Sequence, residues 1–151
     1  MGSDARAAIR DAGCRAGGGG YHPRVPRRAT PHHKAEAALT RFGLALPETD
    51  ASLWIPPARQ LRVRGKTFCI FGAKGEPLDA LTIVVKLPIA AEMVRDLPFV
   101  RESKGWYRQH DWVFAHFGAD DDIGAEMDTL RAWLIQSYRA VAPKRLAKQV
   151  S

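Results

Sequence analysis

From Arg59 to Phe71 polar and apolar residues alternate, and the run then turns at Gly72–Pro77. Leu81 to Pro88 follows and is rich in β-branched residues. A period of two is that of a strand with one face buried, and β-branched side chains pack well on a pleated surface. This stretch therefore predicts a run of three strands that ends at a helix start. Leu61 and Val63 share one strand face, whereas Arg62, Arg64 and Lys66 are expected on the other, since side chains alternate. One face builds a core and the other carries three positive charges. Cys69 lies inside a strand, where a small buried thiol is the ordinary reading.

The flanking segments change period. Thr30-Pro31 has the form of a helix opening, with Thr as cap and Pro in the first turn. Ala35, Ala38, Leu39 and Phe42 continue at helical spacing, and Gly43 is expected to stop the helix. Leu46–Asp50 reads as a loop, and Leu53-Trp54-Ile55 as an edge strand or packed loop bounded by Pro56-Pro57. Ile89–Leu97 predicts a brief helix between Pro88 and Pro98. Gly105–His110 and Asp111–Phe117 read as a hairpin or two adjoining strands, with Trp112, Phe114 and His116 on one face. A long last helix follows. Asp120–Asp122 supplies its cap, and Ile123, Met127, Leu130, Leu134, Ser137, Tyr138 and Val141 form a stripe that should lie on the sheet. Arg139 falls in its last turn, Pro143 stops it, and Lys144, Arg145 and Lys148 form a basic tail.

These elements make an α+β domain of an antiparallel sheet packed by an N-terminal helix, a short middle helix and a long C-terminal helix. It is expected over residues 32–151. Residues 1–31 are expected to be a disordered basic arm, because Gly17–Gly20 and three prolines oppose regular structure and few large apolar residues are present. A chain of 151 residues suffices for one hydrophobic core.

Charge refines this picture. The net charge of the chain is +7, but residues 1–33 hold six arginines against Asp4 and Asp11, a net +4. The remainder, with 17 basic and 14 acidic groups, is only mildly basic at +3. A pI near 9.8 thus overstates the pull on nucleic acid. No apolar stretch approaches the ~20 residues that span a bilayer. Two cysteines, Cys14 and Cys69, give neither metal spacing nor a disulfide framework, and a reducing cytoplasmic setting is expected.

Several stretches together resemble one family. Leu61-Arg-Val-Arg-Gly-Lys-Thr-Phe68, Leu81-Thr-Ile-Val-Val-Lys-Leu-Pro88, His110-Asp-Trp-Val113 and Ser137-Tyr-Arg-Ala-Val-Ala142 resemble, in order and spacing, motifs of the MmcQ/YjbR family of small bacterial proteins. The likeness runs from about Lys34 to the end. It implies a YjbR-like fold of the double-wing type, a DNA-binding role of undefined target, and no agreed enzymatic activity. Two departures stand out. Pro56-Pro-Ala-Arg59 replaces a Gly-His-Pro element, and Asp111 replaces the glycine before the tryptophan.

The chemistry this leaves is weighed against plainer readings. Arg62, Arg64 and Lys66, with Lys86 on the neighbouring strand, and Lys104 and Arg108 near Trp106 and Tyr107, suit a phosphate backbone with aromatic rings beside it. The plain alternative is a solvated outer sheet face paired with acids. His110 and His116 near Asp120–Asp122 lack metal-ligand spacing, so no metal is expected; His32-His33 reads as a solvated loop pair. Ser137 reads as a close-packing residue, and Trp112, Trp133 and Tyr138 as core. No catalytic motif and no cofactor site is present. DNA binding through the basic strand face is the first expectation. A protein-interaction domain, marked by an exposed apolar patch, and a small-ligand module, marked by a deep pocket, are the alternatives.

Overall fold

The computed structural model describes residues 30–55 and 57–150. Six strands form one sheet in the order β1-β2-β3-β4-β6-β5, every neighbouring pair antiparallel. They are β1 (Thr49–Leu53), β2 (Arg59–Val63), β3 (Lys66–Phe71), β4 (Leu81–Lys86), β5 (Val100–Arg101) and β6 (Trp112–Phe117). Helices α1 (Pro31–Leu44) and α4 (Met127–Val141) cover one face, and three short helices lie between or after the strands: α2 (Ala91–Val94), α3 (Gly105–Gln109) and α5 (Lys144–Ala147). The α+β expectation holds. No helix among the described residues is long and apolar enough to cross a membrane.

The main core lies between α1, α4 and the sheet. Leu39, Leu61, Val63, Phe68, Phe71, Ile83, Leu130, Leu134 and Tyr138 are all buried there. The alternation on β6 is as expected: Val113, Ala115 and Phe117 join this core, while Trp112 and Phe114 join a smaller cluster with Ala58, Ile70 and Val84 on the other face. The stripe on α4 is buried at Leu130, Leu134, Ser137 and Tyr138, with Trp133 added; Met127 and Val141 are half-buried. Asp122 does cap, but it caps a 3-10 turn over Ile123–Glu126 that precedes the helix.

Several expectations are corrected. Gly43 does not stop α1, which runs to Leu44. A Cβ on Gly43 would stand 2.5 Å from Leu61 Cδ1, so the glycine lets α1 approach β2 closely. The end of α1 is tied down by Thr49, whose hydroxyl donates to the carbonyls of Gly43 at 3.0 Å and Leu46 at 2.9 Å. That threonine opens a strand where a loop over Leu46–Asp50 was expected. His32 and His33 lie in the first turn of α1, not in a loop, and His32 is buried with neither ring nitrogen hydrogen-bonded among the described residues. Thr30 caps this helix as expected, by accepting from His33 N at 3.2 Å. The arm expected over 1–31 lies outside the described residues as far as 29. Gly105–Gln109 is a helical turn, not a strand, and it packs on the outer face of β6.

The expected grouping of Arg62, Arg64 and Lys66 on one face is also corrected. The run turns at Arg64 and Gly65, both at positive φ (49° and 80°), so β2 and β3 form a hairpin. Arg62 stands opposite Thr67 on the outer face, Arg64 is in the turn, and Lys66 pairs across from Val63. A register shift beside Leu61 and Arg62 disturbs the ladder at Phe68. On the β4 side of Phe68, Ser137 reaches in from α4: its hydroxyl donates to Phe68 O and accepts from Lys86 N at 2.9 Å. This serine bridges β3 and β4 just past their last paired residues, Cys69 and Val85, which is more than the close packing expected of it.

Candidate functional site

The strands fix two ends of the molecule. Val63, Lys66, Lys86 and Trp112 mark the end that carries the β2–β3 hairpin; Phe71, Leu81 and Phe117 mark the opposite one. Because Ser137 meets Phe68 and Lys86, the C-terminal half of α4 and the residues after it lie at the hairpin end. That geometry sorts the charges.

At the hairpin end, Glu48 stands among cations. Arg64 Nε is 3.6 Å from one of its oxygens and Arg145 Nη2 is 3.3 Å from the other. Arg64 N also donates to Glu48 O at 3.2 Å, and both residues have positive φ (57° for Glu48). Such conformations cost of order 1–3 kcal/mol for residues with a Cβ and persist only where neighbours enforce them. Here two strained residues hold each other, and Tyr138 secures the same loop by donating to Pro47 O at 2.7 Å. The tyrosine hydroxyl has the buried partner that its position demands, and its pKa is raised, chiefly by burial and then by Glu48. Lys66, Lys144 and Lys148 are exposed and have no ion pair among the described residues. Residues 139–150 contain four cations and no acidic side chain.

A second group surrounds α3 at the same end. Lys86 Nζ donates to His110 O at 2.8 Å and lies 5.8 Å from the Trp112 ring centre. Arg108 Nη2 is 3.6 Å from Glu92, whose other oxygen takes Arg95 Nε at 2.8 Å. The Arg95 hydrogen bond is the main reason that Glu92 is held below its ordinary pKa, with the charges of Arg95 and Arg108 adding and desolvation opposing. Lys104 is exposed. The turn from α3 into β6 passes through Asp111 at φ 64°, where a glycine would carry no steric cost; aspartate is among the few residues that tolerate that region.

The middle of the outer face is less charged than expected. Arg62 Nε is held by Asp50 Oδ1 at 2.8 Å across the β1–β2 ladder. Gln60 and Thr82 are buried; Gln60 binds Ser52 Oγ at 3.0 Å and Thr67, and Thr82 binds Glu76 and lies 3.0 Å from His116 Nδ1. His116 is thus tied to Thr82 and Glu76, and His110 stacks against Trp106, so the two histidines serve different neighbourhoods. No group of three or more metal-binding side chains lies together among the described residues. Cys69 is fully buried and its thiol is pushed well up in pKa, by burial first and by Glu36 second. Glu36 in turn is buried and paired with Arg59 of β2.

Of the six sequence-predicted cations, Arg64, Lys66, Lys86, Lys104 and Arg108 are brought to the hairpin end, while Arg62 sits one rung in and is neutralised. Lys144, Arg145 and Lys148 join them, although they are some 80 residues away in the chain from Arg64. Their acid-free run was visible in the sequence; that it folds back beside the hairpin was not. A family model described as YjbR matches residues 44–140. No curated protein matches the chain.

Proposed function

The chain belongs to the YjbR family, and from that premise we propose that it binds nucleic acid through the phosphate backbone at its hairpin end. The supporting observation is charge segregation. Arg64, Lys66, Lys86, Lys104, Arg108, Lys144, Arg145 and Lys148 converge there, with Glu48 shared between two arginines. Glu92, Glu102 and Asp111 are the acids nearest the α3 side. Strands lie about 4.8 Å apart, so the hairpin strands β3 and β2 are separated from the start of β6 by roughly 10 and 14 Å, wide enough for more than one phosphate. The binding surface is therefore an end of the sheet with the C-terminal tail, and not the strand face.

A titration of the full chain on random duplex DNA at several salt concentrations tests this. Replacing Lys66, Lys144 and Lys148 with Gln should lower the slope of log K against log salt by roughly 0.9 per lost contact, about 2–3 in all. Arg62→Gln should change it little, since Asp50 already neutralises that charge. The N-terminal arginines are common to all three proteins and cancel in the comparison. A triple variant with the wild-type slope, or a wild type that fails to bind even at low salt, rejects the proposal.

One observation favours protein interaction as a second reading. Leu53, the last residue of β1, and Trp54 and Ile55 just after it are exposed, with Leu78 exposed on the β3–β4 loop at the same end of the sheet. Trp54→Ser with Ile55→Ser should leave nucleic-acid binding unaltered under the first reading; loss of self-association in sedimentation would support the second.

A further inference from the structure

We infer that α3 is a stacking platform for unpaired bases, so that the hairpin end takes single-stranded nucleic acid in preference to duplex; this rests on the nucleic-acid reading above and specifies its ligand. The observation is an aromatic cluster that folding leaves in water. Trp106 is 58% exposed and Tyr107 39%, and none of the residues of α3 is buried. The rings are nevertheless held. Tyr107 meets Phe114 edge-on at 5.2 Å between centres, which anchors α3 to the outer face of β6. Trp106 meets Tyr107 edge-on at 5.4 Å and lies tilted over His110 at 4.7 Å. The platform is therefore oriented before any ligand arrives, and little side-chain entropy remains to be lost on binding.

An exposed aromatic by itself means little, since isolated apolar residues are common on surfaces. Here three rings are contiguous, and cations flank them. Lys104 precedes the pair by two residues, Arg108 follows directly, and Lys86 is fixed to His110 O. Positive charge tracks a backbone while flat rings accept base faces, a combination typical of single-strand binding. Duplex DNA hides its base faces against one another, so it would use the cations and leave Trp106 idle. An unpaired strand uses both. Charge complementarity thus points to a polyanion, and the exposed rings to one with free bases.

The experiment compares the full chain with its Trp106→Ala and Trp106→Phe variants on two probes, an oligothymidine of about 20 nucleotides and a duplex of equal length, at matched salt. Wild type should bind the oligothymidine more tightly, with quenching of tryptophan emission. Trp106→Ala should weaken that binding roughly 5- to 100-fold with the salt slope unchanged, leave duplex binding within about 2-fold, and be largely rescued by Phe. Because Trp106 is exposed, the variants should melt with the wild type. Equal losses on both probes, or none on the oligothymidine, overturn the stacking platform while phosphate binding stands. Failure of wild type to bind either probe at low salt removes both. Binding to vesicles of anionic lipid that depends on Trp106, with no binding to the oligothymidine, would also overturn the inference and point to a membrane surface.

Discussion

Single residues at this hairpin end do jobs that their types alone do not announce. Ser137 is completely buried on α4, yet its hydroxyl joins Phe68 O to Lys86 N just past the last β3–β4 pair, Cys69 and Val85. Ser137→Ala removes both bonds and strands a backbone donor and acceptor away from water. Each such orphan costs about 1–3 kcal/mol, so a loss of roughly 2–4 kcal/mol is expected in urea unfolding. A loss under about 0.5 kcal/mol would mean that water or a small strand shift replaces the hydroxyl. The sequence shows an inward-facing serine at helical spacing, and small inward residues are usually packing residues; its partner Phe68 lies 69 positions earlier and leaves no local mark. Gly43 is a similar case. A glycine near a helix end reads as a stop, but its use here is set by Leu61 on another element. Asp111 goes the other way, since a local signal explains it. The backbone turns there at positive φ, where glycine carries no steric cost, and aspartate keeps the turn at modest cost.

Among the elements, those with a long, clean period were legible and the short ones were not. The stripe on α4 and the two faces of β6 each repeat several times, so the core side follows the pattern, whereas β4 is buried along nearly its whole length and is marked by its β-branched residues instead. That phase gives a direct check. Leu134 is buried against the sheet, and Leu134→Ala should cost about 2–5 kcal/mol. Arg131, whose partner Asp128 is fully exposed at 3.1 Å, should cost well under about 1 kcal/mol when replaced by Ala. Equal losses in parallel melts would show the helix to be rotated from its described position. By contrast α3 spans five residues, too few for a period of 3.6 to separate from one of two, and Gly105 at positive φ with aromatic neighbours suits a hairpin just as well. The three strands expected over Arg59–Pro88 are present, but the place of the β2–β3 turn was not read, because Arg64 occupies a left-handed position more often given to Asn or Asp. The position of that turn matters, because it takes Arg64 and Lys66 from a face shared with Arg62 to the hairpin end.

Over the whole molecule, the charges separate along the sheet. Glu76, Asp79, Asp120, Asp121, Asp122, Glu126 and Asp128 gather at the end opposite the hairpin, where the N-terminus of α4 favours negative charge. The C-terminus of that helix faces the basic end, so the helix dipole and the side chains agree. A folded part that is only mildly basic in total thereby presents one strongly positive end, which would steer a polyanion towards it. The total charge hid this, because a sum contains no positions. Glu48 is the informative residue, since it alone among nearby acids engages two of the converging cations. Glu48→Gln keeps the shape and the backbone bond to Arg64 but frees both guanidinium groups. At a separation of roughly 6 Å in a water-like dielectric, one removed charge is worth about 0.7 kcal/mol, which is about a 3-fold gain in affinity for a polyanion. The gain should shrink as salt rises towards 1 M, where the screening length falls to about 3 Å. Thermal melts of the variant check the fold, and anisotropy titrations with oligonucleotide at low and high salt check the affinity. Tighter binding that fades with salt is the expected result. Unchanged affinity in a well-folded variant would mean that the ligand does not approach the hairpin end, and weaker binding would mean that Glu48 itself makes a contact.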